Sequence, residues 1–95
     1  MPSAGLPKQV DVEMALLRLL KERAGSMAVK EAYKLLASVF DLDSEQQKRL
    51  NNEGRSEWEN LVRFAKRRLK HNGIVVNVSH GHFALSKLAK TPLNL

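Results

Sequence analysis

The 95-residue chain has no cysteine. That excludes a disulfide framework and a thiolate metal site, and it points to a reducing compartment. No apolar run approaches the ~18 residues of a membrane span, and the amino terminus lacks the apolar centre of a signal peptide. The sequence therefore reads as one small soluble, cytoplasmic domain. Its five glycines are scattered singly, so no phosphate-cradling loop can be built. There is no Walker A string and no Gly-x-Gly-x-x-Gly. No Ser/His/Asp constellation and no CxxC are present either. An enzyme has nothing to stand on, and no cofactor is expected.

The most informative scarcity is of acid. Beyond Glu59 there is no Asp or Glu. Residues 1–53 carry eight Lys/Arg and eight Asp/Glu, whereas residues 54–95 carry eight Lys/Arg and two Asp/Glu. The entire net charge of +6 belongs to the second half. A one-sided basic surface gathers anionic partners, of which nucleic acid is the commonest; a solvated basic face is the plainer alternative.

What is there reads as helices followed by a hairpin. From Pro7 or Val10 to Ala24, Val10, Met14, Leu17, Leu20 and Ala24 recur at helical steps, with Leu16 and Leu19 widening the stripe. Gly25-Ser26 stops that helix. Met27-Ala28 is either a minimal strand or an extended link. Val29, Ala32, Tyr33, Leu36, Val39 and Phe40 mark a second helix, broken at Asp41-Leu42-Asp43. Asp43 and Gln46 can cap a short third one through about Asn51. The fourth, Glu57 to His71, opens on Ser56-Glu57-Trp58-Glu59, a capping-box spacing, and closes at Asn72-Gly73. Ile74, Val75, Val76 and Val78 favour a strand, Ser79-His80-Gly81 a turn, and His82 to Leu85 the return. Residues 1–9 read as a flexible start, with 1–6 frayed. Ser86 to Lys90 can make one helical turn, and residues 91–95 read as a tail.

On a wheel of the fourth helix, Trp58, Leu61, Val62, Ala65 and Leu69 share one side. Asn60, Arg63, Arg67, Lys70 and His71 share the other. Three to four helices and a two-stranded wing, in this order, make a mainly α winged helix-turn-helix over residues 10–90. In that architecture the helix before the wing enters the major groove.

The string GRSEWENLVRFAKRRLKHNGIV, followed by SHGHFALS, resembles the amino-terminal winged-helix domain of Mrr-type restriction proteins. The helix marks are Trp58, Val62, Phe64-Ala65, Leu69 and Gly73; the wing marks are Gly81, Phe83, Leu85 and Ser86. The earlier VKEAYKLLASVFDLDSEQ is similar to the family's second helix and acidic turn. The resemblance spans roughly residues 10–90. It implies binding of double-stranded DNA, modified and usually methylated, within a host-defence system, with cleavage left to a separate Mg²⁺-dependent nuclease domain that this chain is expected to lack. Glu57 and Glu59 suit the helix dipole yet would repel a phosphate at that end.

Within this frame, Arg63 and Arg67 can pair with guanine or clamp phosphate, and Asn60 can pair with adenine. Arg55 and Ser56 sit at the helix entrance, where free N–H groups favour an anion, although Ser56 serves first as a cap. Lys66, Arg68 and Lys70 flank the face and add diffuse attraction. His80 and His82 bracket Gly81 at the wing tip, where His80 can approach phosphate. A metal site from His80, His82 and His71 lacks a completing ligand and is not expected. Phe64 is expected to pack under the wing. Two rival functions stay open: a homodimeric winged-helix transcription regulator, and a protein-interaction winged helix with an acidic partner. Membrane binding by the basic helix is disfavoured, because its apolar residues are committed to a core.

Overall fold

A computed structural model describes residues 6–23 and 25–86. Helix α1 runs Gln9–Glu22, strand β1 Ser26–Ala28, helix α2 Val29–Val39, helix α3 Ser44–Lys48 and helix α4 Glu57–His71. Strands β2, Val75–Ser79, and β3, His82–Leu85, follow. The expected helical turn from Ser86 and the tail beyond it lie outside the described residues, apart from Ser86 itself. So does most of the frayed start; Leu6, at its end, is half-buried against the core.

Apolar stripes dictate the packing, but that of α1 is rotated from the expected one: Val10 and Met14 are exposed, and Val12 is buried with Leu16 and Leu20. Val12, Leu16 and Leu20 of α1 meet Ala32, Leu36 and Ala37 of α2 and Trp58, Val62, Ala65 and Leu69 of α4. Met27, Val75, Phe83 and Leu85 close the core from the sheet. Full burial of one such Leu or Phe contributes about 1.5–3 kcal/mol. No polar or charged side chain is buried among the described residues, so every described ionic group lies at the surface.

The Met27-Ala28 ambiguity resolves as a strand. The sheet is antiparallel in the order β1-β3-β2, with Met27 opposite Phe83 and Val75 opposite Leu85. The wing is therefore a hairpin with a third strand added from between α1 and α2, and the fold is a winged-helix-like α+β arrangement. A register shift between Asn77 and Ser79 bends β2 just before the tip. At that tip the Gly81 carbonyl accepts from the Val29 N–H at 2.8 Å. One orphan donor at the start of α2 is thereby satisfied by the wing, which ties tip and helix together.

Helix α4 starts and stops where its sequence says. Ser56 Oγ accepts from the Glu59 N–H at 3.1 Å. The reciprocal half of the capping box does not form, because the Glu59 carboxylate turns toward Arg63 instead. At the other end Gly73 adopts φ +77°. Its N–H donates to the Lys70 carbonyl, and that of Ile74 to the Leu69 carbonyl, at 3.0 and 2.9 Å. This bond pair terminates helices where the residue after the cap is left-handed. For α3 the full box is present: Gln46 N–H to Asp43 Oδ1 at 2.8 Å, and Asp43 N–H to Gln46 Oε1 at 2.9 Å.

Candidate nucleic-acid interface

The wheel reading of α4 holds. Trp58, Val62, Ala65 and Leu69 are buried and Leu61 is half-buried, while Arg63, Arg67, Lys70 and His71 are exposed. Trp58, 1% exposed, anchors the helix: its Nε1–H donates to the Tyr33 carbonyl at 3.0 Å, and Phe40 packs edge-on against it. That single bond fixes the approach of α2 to the first turns of α4.

The outward face is organised by aromatic rings under cations. The Arg63 guanidinium lies 5.9 Å over the Tyr33 ring, Lys66 Nζ 5.4 Å over Phe83, and the Arg67 guanidinium 5.7 Å over Phe64. Such placements hold the cations by the negative ring face and reduce the entropy lost on contact. Arg63 is held further. Its Nε–H donates to Tyr33 Oη at 3.0 Å, one terminal N–H donates to Asn60 Oδ1 at 3.1 Å, and the other terminal nitrogen lies 3.6 Å from Glu59 Oε1. Arg67 has only the ring of Phe64 as a partner among the described residues, so its five donors face solvent.

Lys66 differs from its neighbours. Burial of its stem, and then the charge of Lys70, pull its ammonium below the ordinary 10.5. A phosphate beside it would offset both effects.

One expectation changes and one holds. Phe64 does not pack under the wing. It is 49% exposed and lines a shallow depression with Gln9, Arg67 and His71. Phe83 already fills the wing side beneath Lys66, and the helical rotation turns Phe64 toward the start of α1 instead. Ser56 serves as the cap, as expected. Its hydroxyl caps Glu59 and also donates to the Gln47 carbonyl at 3.1 Å. Arg55 remains exposed at the same entrance.

His71 and the wing histidines line different depressions, and no group of three His, Asp or Glu side chains capable of holding a metal exists among the described residues. His80 and His82 instead join a groove of about 850 Å³ between the start of α2, the first half of α4 and the wing tip. Lys30, Tyr33 and Lys34 of α2 form its opposite bank. Sequence reasoning missed these three. The helical spacing of Lys30 and Lys34 was visible, but Tyr33 read as part of the apolar stripe. The bonds from Trp58 and Arg63 to Tyr33 bring α2 beside α4, and the bond from the wing tip to α2 adds the wing to the same groove.

No helix among the described residues is long and apolar enough to cross a membrane. No curated protein and no solved structure matches the chain. The pattern that defines the Mrr N-terminal domain matches residues 12–94, a span that takes in all three sheet strands and every helix but the first residues of α1. Trp58, Val62, Ala65 and Leu69 are the core anchors of α4, Gly73 ends it, and Phe83 and Leu85 close the core from the wing, as that family's pattern implied. The match links the chain to restriction-system proteins and contains no catalytic domain. The chain belongs to the Mrr N-terminal domain family.

Proposed function

We propose that this domain binds double-stranded DNA through the outward face of α4, as the target-recognition module of a modification-dependent restriction system in the cytoplasm. One observation carries the reading. Arg63 of α4 faces the same groove as Lys30 and Lys34 of α2 and the histidines of the wing tip, so three elements converge on one surface. In a winged helix these are the elements that meet the major groove and its flanking phosphates. Membership of a restriction-linked family supports the biological setting. A nuclease acting on the bound DNA would be supplied by another domain.

Titration of modified and unmodified duplexes by fluorescence anisotropy at two salt concentrations tests this. Four to six phosphate contacts give a log–log salt slope of about −3.5 to −5.5. Absent or salt-insensitive binding overturns the proposal, while equal affinity for modified and unmodified duplexes would overturn its modification-dependent part alone.

A second reading, a homodimeric transcription regulator, draws on Val10 and Met14. They stand one turn apart on α1 and are 55% and 64% exposed, a strip that a second copy would cover. Light scattering with and without duplex separates the two, since a dimer in free solution favours the regulator.

A further inference from the structure

Glu59 is out of place on a surface that gathers phosphate. Residues 54–95 hold only two carboxylates, Glu57 and Glu59. Both serve the dipole of α4, but they part company in space. Glu57 turns back to Arg49, at 4.0 Å. Glu59 turns onto the groove bank, beside Arg63. Helix stabilisation accounts for either residue and does not require one of them to lie among the cations.

Resting on the DNA-binding reading, we infer that Glu59 is a specificity-determining residue that accepts a hydrogen bond from the exocyclic amino group of a base, cytosine N4 or adenine N6, in the major groove. Three features carry this. Glu59 lies in the amino-terminal half of α4, the part that meets base edges in helix-turn-helix readers. Its carboxylate stands 3.6 Å from the Arg63 nitrogen, beyond hydrogen-bond length, so Arg63 neutralises it without using up its acceptors. Arg63 is itself fixed by Tyr33 and Asn60, which holds the pair in place before any partner arrives. A carboxylate can only accept, so it selects bases that present a donor and opposes guanine O6 and thymine O4. In a paired base the amino group keeps one N–H for the major groove. A methyl group on that nitrogen takes the place of the N–H, whereas a methyl on cytosine C5 leaves it free.

The experiment is selection from a randomised duplex pool with the full chain, followed by sequencing, for the wild type, Glu59→Ala, Glu59→Gln and Glu57→Gln. Thermal melts verify that each variant is folded. The wild type and Glu57→Gln are expected to enrich cytosine or adenine at one position by about 5- to 150-fold. Glu59→Ala flattens that position, and Glu59→Gln moves it toward adenine, which glutamine can pair at N6 and N7. A duplex with N4-methylcytosine or N6-methyladenine there loses the same factor for the wild type but not for Glu59→Ala, while 5-methylcytosine leaves the Glu59 contact intact. Identical enrichment by Glu59→Ala and the wild type, or no enrichment by the wild type, overturns the role of Glu59 and leaves DNA binding standing. A wild type that retains no duplex at low salt overturns both.

Discussion

Arg63 and Arg67 stand one turn apart on α4, and the sequence offers no reason to rank them. Their neighbours do. Arg63 already donates to Tyr33 and Asn60 and faces Glu59, so part of its fork must be released before it can grip a guanine edge. Among the described residues Arg67 lies only against the Phe64 ring, so its fork is open for contact. Arg67→Ala is therefore expected to weaken duplex binding by about 1–3 kcal/mol, the scale of one good paired contact, and Arg63→Ala by less. Anisotropy titrations at one salt concentration check the order; wild-type-like binding by both would remove α4 from the interface. Lys66 supplies a second test at this scale. Its lowered ammonium pKa means that the folded chain gives up this proton before the unfolded chain does. At neutral pH the burial cost is present in full. Between the lowered value and 10.5 the unfolded state binds more protons, so this group's contribution makes stability rise with pH. The stability of Lys66→Met minus that of the wild type should therefore fall as pH climbs toward 10.5. Urea unfolding of both proteins at pH 7 and near pH 10.5 measures it, and a constant difference refutes it.

At the scale of elements, the start of α4 depends on one hydroxyl used twice. Ser56 Oγ accepts from Glu59 N–H and donates to the Gln47 carbonyl, so it caps α4 and ties it to α3. Ser56→Ala should cost about 0.5–2 kcal/mol. Ser56→Asp keeps an acceptor for the cap but, when ionised, has no proton for Gln47, and it should recover only part of the loss. Urea unfolding midpoints for the three proteins decide this, and full recovery by aspartate would assign Ser56 to the cap alone. The element limits were legible beforehand because local chemistry sets them. Ser56 begins α4, Gly73 at φ +77° ends it, and Asp43 with Gln46 begins α3, whose end, expected near Asn51, falls at Lys48. The exposed face of α4 was legible for the same kind of reason, a 3.6-residue period in which charge and apolar character alternate. β1 was not, since three residues carry too short a pattern to separate a strand from a link until Met27 finds Phe83.

Across the whole molecule, Trp58 joins α2 to α4. Its ring fills the core beside Phe40, and its Nε1–H satisfies the Tyr33 carbonyl. Trp58→Phe leaves a void and removes the second hydrogen bond to the Tyr33 carbonyl, which keeps its helical donor, and should cost about 2–3 kcal/mol. In a domain of this size that lowers Tm by roughly 10–20 °C. Thermal unfolding followed by circular dichroism measures the loss, and a shift of only a degree or two would show that the bond between helices is dispensable. The same residue positions Tyr33 under Arg63. A stability change at Trp58 should therefore reach the candidate interface as well, seen as weaker duplex binding by protein that is still folded.

The sequence by itself determined where α2, α4 and the wing begin and end, where α3 starts, which side of α4 is buried, and which half of the chain carries the positive charge. These follow from periodicity, caps and composition, all of which act over a few neighbouring residues. Only the tertiary structure decided that Lys30, Tyr33 and Lys34 share a groove with Arg63 and the wing tip, that Phe64 faces the start of α1 and not the wing, and that Glu59 turns inward onto the cations while Glu57 turns away. Those outcomes depend on contacts between residues far apart in the chain. The bond from Gly81 to Val29 spans more than half the chain, and no local pattern encodes which helix a hairpin tip will reach.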